Sequence, residues 1–294
     1  MKTIGGIGLN KYRTTLTSGE ALNPNQPIKV DFKRQGAATT GTITQVQQTP
    51  APDSNFGNEF LNGDPSVTLK TVYDHQKGLV WMLYVTSSTL KLVVGQVIAN
   101  NGFSGETSLK WGTPVDIDNN IVTYDMCLIE SDNSRWNGNC LICYDNGSIG
   151  KSKVAAVRYN MTITLSGFQS QTFLNNTVDY INVIWVKAHN VAVVSYANGS
   201  DSNKLSVTVG APNDVNTPGM SWGSSTKVAV GGGAGLIPNA SFPVMSCYCD
   251  ATNRFVLAFP DSVASAGKCV VGKTAGINST GAPTFGAFSN INGG

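Results

Sequence analysis

From about Val67 onward the apolar residues fall into short runs rather than helical stripes, the period of strands and not of helices. Leu79–Tyr84 (LVWMLY), Cys140–Tyr144 (CLICY), Val191–Tyr196 (VAVVSY) and Arg254–Phe259 (RFVLAF) are strongly apolar, and each ends on an aromatic. A second apolar run follows each: Leu90–Gly95 (LKLVVG), Lys153–Val157 (KVAAV), Leu205–Gly210 (LSVTVG) and Lys268–Gly272 (KCVVG). Three of these four close on Gly. A last short run then carries an aromatic-Gly pair, Trp111-Gly112, Trp222-Gly223 and Phe285-Gly286, with Leu165-Ser166 as the degenerate member.

Tyr84, Tyr144, Tyr196 and Phe259 are therefore equivalent positions, separated by steps of 60, 52 and 63 residues (144 − 84, 196 − 144, 259 − 196). A step of this length is that of one four-stranded unit with variable loops. The repeats run near 67–118, 122–176, 178–239 and 241–294. One such unit cannot cover both faces of its own sheet, so it needs a neighbour packed face to face. The near-continuous apolar middle strands say the same, because strands covered on both sides lose the in/out alternation of an exposed sheet. The expected fold is all-β: a β-propeller or propeller-like array of four four-stranded blades. A pair of β-sandwiches and a trimeric β-helical fibre shaft are the alternatives. Closure of a four-blade ring is left open, since Gly41–Val46 could complete a blade, or copies could join between chains.

The first sixty residues differ. A turn cluster, Asn23–Pro27, separates two extended runs, Gly41–Val46 forms a third, and the stretch from Gln47 to Asp64 is rich in Pro, Asn and Gly. Residues 1–64 are expected to form a β-hairpin attachment module followed by a linker. The Gly293-Gly294 finish has the look of a linker as well, so further sequence beyond it is conceivable.

Composition narrows the function classes. Charged residues are 13% of the 294, Gly numbers 32, and the 20 basic and 18 acidic side chains give a net charge of +2. Scattered, nearly balanced charge offers neither a nucleic-acid groove nor a patch for an anionic membrane. Met1–Gly8 lacks the apolar core of a secretory signal, and no run approaches a membrane span. A protein soluble as made, in a cytoplasm, is expected. Six Cys, at 127, 140, 143, 247, 249 and 269, are expected as buried thiols. Six Asn-x-Ser/Thr triplets, beginning at 146, 160, 175, 198, 239 and 278, are expected as turn chemistry rather than glycan acceptors.

Candidate chemistry is sparse. Cys140 and Cys143 have the spacing of a zinc or redox pair, but i and i+3 face opposite sides of a strand. Cys247 and Cys249 share a face, yet neither His75 nor His189, the two histidines of the chain, is near them in sequence. Both histidines fall in the turn between the first two runs of a repeat, and Ser131–Ser134 and Asp250–Asn253 occupy the same place elsewhere. An Asx-type turn accounts for all four. Paired carboxylates for glycoside cleavage would come from Asp125, Glu130 and Asp179, without a matching pattern in the other repeats. Trp111, Trp222 and Phe285 could stack on sugar rings, but one blade position repeated in this way points to packing. No catalytic, cofactor-binding or metal-ligating set is expected.

The grammar of an Asp/Asn turn, an apolar run ending in Tyr, Val-x-Val-Gly and a Trp/Phe-Gly strand, as in Ser108–Val115 (SLKWGTPV) and Met220–Gly223 (MSWG), resembles the repeats of tailed-bacteriophage virion proteins. Such repeats occur in tail fibres and related appendages, including those of cyanophages, and Thr17–Val30 (TSGEALNPNQPIKV) resembles the short β module that precedes them. The resemblance implies a structural virion protein of homo-oligomeric form, made in the host bacterial cytoplasm. It implies attachment to other virion proteins of the tail or capsid through the N-terminal segment, and possible binding of a host-surface glycan. It implies no enzyme activity, cofactor, nucleic-acid partner or membrane insertion. A carbohydrate-active propeller, lectin or glycoside hydrolase, is the alternative.

Overall fold

The computed structural model describes residues 68–99, 107–158, 161–213, 219–228, 244–261 and 266–291. Contacts divide the chain into units 1–56 and 57–294, and every described residue belongs to the second. The expected N-terminal module, 1–64, and the Gly-Gly end lie outside the described residues.

The described chain is all-β and forms four antiparallel sheets, each a meander of four strands taken in chain order. The first sheet holds β1 (Leu69–Asp74), β2 (Leu79–Thr86), β3 (Thr89–Ala99) and β4 (Thr107–Trp111), with β5 (Val115–Asn119) returning to pair β3. The second holds β6 (Thr123–Leu128), β7 (Cys140–Asp145), β8 (Gly150–Arg158) and β9 (Thr162–Leu174). The third holds β10 (Val178–Val186), β11 (Val191–Asn198), β12 (Lys204–Asn213) and β13 (Gly219–Trp222), with β14 (Thr226–Lys227) also on β12. The fourth holds β15 (Met245–Cys249), β16 (Arg254–Asp261), β17 (Ala266–Lys273) and β18 (Thr284–Asn290). The fifth strands, β5 and β14, depart from the expected four per sheet. They arise because the chain leaving the outer strand runs back beside the third.

Turn chemistry sets the hairpins. Asp74 Oδ1 accepts from the backbone N–H of Gln76 (3.0 Å) and Lys77 (3.1 Å), the Asx turn expected there. The residue that closes the turn is left-handed in three sheets: Gly78 (φ 64°), Asn190 (φ 53°) and Asn253 (φ 52°). Gly and Asn are the residues that pay least for that conformation.

The sheets stack in chain order, and three buried clusters join them. Trp81, Leu83, Leu90, Leu92 and Val94 of the first sheet meet Cys140, Ile142, Tyr144 and Ala155 of the second. Leu141, Cys143, Val154 and Phe173 from the other side of the second meet Val183, Trp185, Val194 and Tyr196 of the third. Val191, Val193, Leu205 and Val207 meet Phe255, Leu257, Phe259 and Val270 of the fourth. Every residue of β7 and β11 is buried, as near-continuous apolar runs require of middle strands in a two-sided stack. Burial of one such large side chain is worth about 2 kcal/mol, so the clusters, not strand propensity, hold the array together.

Candidate functional site

Two features gather polar side chains from three or more sheets among the described residues. The first runs along the first strands, β1, β6, β10 and β15, which neighbour one another in that order. Lys70 Nζ on β1 lies 3.3 Å from Asp125 Oδ1 on β6. Asp125 Oδ2 accepts from Asn182 Nδ2 and from the Val183 N–H of β10, both at 2.9 Å. Asn182 Oδ1 in turn accepts from Ser246 Oγ on β15. One polar thread thus crosses all four sheets.

Asp125 is buried, and desolvation pushes its carboxyl above the usual range, against the pull of Lys70 and of the Val183 N–H. Its oxygens are taken up by these partners. Glu130 is exposed beyond the end of β6, where its backbone carbonyl accepts from Trp185 Nε1 (2.9 Å) and its carboxylate sits 3.9 Å from Lys187 Nζ. Asp179 is half-buried on β10. Asp125 serves as a cross-strand pin, and Glu130 through its backbone ties the second sheet to the third.

The second feature is a cleft of about 400 Å³ at the end of the stack where first-to-second strand turns emerge. It is lined by Ser131, Asp132 and Asn133 of the second sheet's turn, Lys187 and Asn190 of the third, and Ile277 and Asn278 from the β17–β18 loop. The β6–β7 loop is closed by Ile129 N–H to Asn139 O and Gly138 N–H to Ile129 O, both 2.9 Å, and buries Trp136 beneath it. A 3-10 turn, Lys187–His189, sets the second wall. It is fastened to the fourth sheet by Asn278 N–H to His189 O (2.8 Å), Asn190 Nδ2 to Asn278 Oδ1 (2.7 Å) and His189 Nδ1 to Thr274 Oγ1. Asn190 Oδ1 is buried with no hydrogen-bond partner among the described residues. The cleft thus sets hydroxyl, amide and charged groups beside the apolar surface of Trp136, Ala188, Pro212 and Ile277.

His189 belongs to this wall as a positioning group, and His75 is exposed in its turn. Cys140 lies in the cluster between the first and second sheets, Cys143 in that between the second and third, on opposite faces as their spacing requires. Burial pushes both thiols up, and Cys127 with them. Cys247 and Cys249 correct the expectation of buried thiols: both are exposed, and Cys269 is half-buried. They lie on the outer face of the last sheet, which no sheet among the described residues covers. Trp222 packs, with its ring 5.6 Å from that of Phe173 and its Nε1 donating to Ser152 Oγ at 2.9 Å. Phe285 meets Phe255 edge to face at 6.0 Å.

Sequence reasoning missed Lys70, Asn182 and Ser246. Each is one polar residue at one strand position, without a local motif. The sequence carries no signal for them beyond a polar side chain in a first strand, and β1 (LKTVYD) holds others.

No family model matches the sequence, and no curated protein matches it. Among solved structures, the chain is similar to one in the complex of the fission yeast SREBP-SCAP binding domains, at 11% identity and a TM-score of 0.41. That match covers 73% of this chain and 52% of the other, so the chain spans about half the length of the structure it matches. Among the described residues no helix is long and apolar enough to cross a membrane.

Proposed function

We propose that the chain is a structural virion protein of a tailed phage, a propeller-like tail fibre or related appendage whose end cleft meets a host-surface glycan. The observation that carries the reading is the repeat grammar resembling phage appendage repeats, because each of its signature positions has one job in the stack. The aromatic that ends each second run faces the preceding sheet in three of four repeats, as Tyr144, Tyr196 and Phe259. In the first and third sheets the Trp-Gly strand supplies the ring that covers the glycine of the third run, Trp111 over Gly95 and Trp222 over Gly210.

A cleft that sets Asn133, Asn190, Asn278, one exposed Lys and one exposed Asp beside the apolar Trp136, Pro212 and Ile277 suits a sugar, whose hydroxyls both donate and accept and whose ring carbons pack on apolar surface. The role is binding and scaffolding rather than catalysis, in keeping with an Asp125 carboxylate already engaged by Lys70, Asn182 and Val183. Synthesis in a bacterial cytoplasm fits six unpaired thiols, three of them in the core.

Labelling purified virions with an antibody to the chain tests the location, and the expected result is signal on the tail or its appendages. A glycan array tests the cleft: Asn133→Ala and Lys187→Ala should each weaken binding about tenfold without a change in thermal unfolding. A chain that is absent from virions and hydrolyses polysaccharide as a free monomer would instead be the carbohydrate-active alternative.

A further inference from the structure

Cys247 and Cys249 form a sulfur pair that neither the buried clusters nor the cleft uses. They lie two residues apart on β15, whose residues alternate between exposed and half-buried, so both thiols stand on one face and both are exposed. The other face of the strand is tied down. Ser246 Oγ donates to Asn182 Oδ1 on β10, and the Tyr248 hydroxyl donates to Asn253 Oδ1 (3.1 Å) and accepts from the Ala188 N–H (3.3 Å). Tyr248 also packs on the buried cluster that joins the third and fourth sheets. These anchors fix which way the thiols point, because a slip of one residue would exchange the two faces of the strand.

The spacing excludes one chemistry and admits another. Two steps along an antiparallel strand set the parallel Cβ atoms about 6.8 Å apart. A disulfide needs Cβ atoms about 3.8 Å apart, so the pair does not close on itself while the strand is intact. An ion between the two sulfurs asks for less movement. With metal–thiolate bonds of about 2.3 Å, two opposed sulfurs stand about 4.6 Å apart, and each side chain leans in by about 1 Å. Among the described residues no group of three or more His, Cys, Asp or Glu side chains gathers for a metal, so the four ligands of a zinc centre are not assembled here. A thiolate pair suits instead a soft ion that is content with two ligands, and Cu(I) is that ion.

The surroundings favour the ionised sulfurs. In the turn after β15, the Thr252 hydroxyl and N–H donate to Cys249 and hold its thiol below the usual range, against the neighbouring Asp250 carboxylate. Two thiolates and one Cu(I) leave a single negative charge on the complex. Arg254 pairs with Cys249 across the hairpin and so shares its face, and its guanidinium is held at the turn by the carbonyls of Thr252 and Asn253. We infer that Cys247 and Cys249 clamp one Cu(I) ion between their sulfurs on the exposed face of β15. Each thiol releases its proton as its bond to the ion forms. The inference rests on the alternation of β15 and not on the virion role.

Anaerobic titration of the reduced full chain with Cu(I), buffered by bicinchoninate, is expected to show one tightly held ion per chain, with the sedimenting mass unchanged by copper. Cys247→Ser and Cys249→Ser should each weaken binding by about a hundredfold or more, since loss of even an outer-shell partner costs up to about that much. Circular dichroism should stay the same, because both side chains are exposed. Cys269→Ser and Met245→Leu remove the other sulfurs that the register puts on this face, and should leave the affinity within about threefold of wild type. Should a serine variant misfold, the wild-type chain decides. Copper should slow alkylation of Cys247 and Cys249 by about tenfold or more while Cys269 reacts as before, and X-ray absorption should find two sulfur ligands at the ion. Serine variants that bind as tightly as wild type, an equal loss from Cys269→Ser, copper-driven pairing of chains, a third sulfur at the ion, or unprotected Cys247 and Cys249 each overturn the inference.

Discussion

In the first and third sheets a single Cβ decides how the third strand meets its outer strand. Gly95, Gly210 and Gly272 pair with Trp111, Trp222 and Phe285, whereas the second sheet has Ala155 opposite Leu165. A Cβ built at Gly210 would come within 2.5 Å of the Trp222 ring, and one at Gly95 within 2.7 Å of the Trp111 ring. In the first and third sheets the pair is a ring over Gly and in the second a smaller side chain over Ala, whereas the ring over Gly272 is that of Phe255 on β16. Gly210→Ala is expected to cost about 2 kcal/mol through overpacking, measured by urea unfolding. Adding Trp222→Leu should recover part of that loss, and strict additivity of the two changes would refute the pairing.

Asp118 is the second residue whose chemistry sets a measurable property. Burial disfavours its charge, but the Asn119 N–H (2.8 Å), Lys151 Nζ (3.1 Å) and the Tyr144 hydroxyl (3.0 Å) all donate to it and hold its carboxyl below the usual range. These bonds reach from β5 of the first sheet to β7 and β8 of the second. A carboxyl depressed in the folded state adds stability that is complete above its unfolded value of about 3.9 and is lost as pH falls through its folded value. Asp118→Asn should therefore be less stable than wild type by about 1 kcal/mol at pH 6. The gap should close on acidification below pH 3, as paired denaturation curves at the two pH values would show.

At the scale of the element, the strands were legible because two-sided burial writes itself into sequence as unbroken apolar runs. β7 and β11, buried at every residue, are the runs CLICY and VAVVSY. Tyr144, Tyr196 and Phe259 were equally legible, since an aromatic recurring at one place in each repeat marks one place in the fold. The thread from Lys70 through Asp125 and Asn182 to Ser246 was not. Its members lie on four strands far apart in the chain, and a lone polar residue in a strand reads the same whether it is pinned or merely tolerated. Asp125→Ala should show which it is. The substitution leaves the Lys70 ammonium, the Val183 N–H and the Asn182 amide without their acceptor, a loss of about 2–3 kcal/mol. Asp125→Asn keeps one carbonyl acceptor and should lose less. A cost below 0.5 kcal/mol for the alanine variant, within the range of surface substitutions, would make the thread incidental.

At the scale of the whole molecule, position in the stack overrides residue type. Cys143 and Cys247 both occupy apolar strands, but Cys143 has a sheet on either side of its own and Cys247 sits on an end face. A repeat pattern does not say which faces of a sheet are covered, so Cys247, Cys249 and Cys269 read from sequence like the buried Cys143. The end cleft escaped for a related reason: its walls come from three repeats, and only the stack brings Asn133, Lys187 and Asn278 together. The same logic gives an order of local stability. Stability in a stacked array is close to a sum of sheet and nearest-neighbour terms, so the middle sheets, with two interfaces each, open less often than the end sheets. Hydrogen exchange should accordingly protect β7 and β11 most, β2 less and β16 least, because Tyr84 is buried on the outer face of β2 while β16 carries half-buried Val256 and Ala258 on its own. Equal protection of β16 and β11 would contradict this order of local stability.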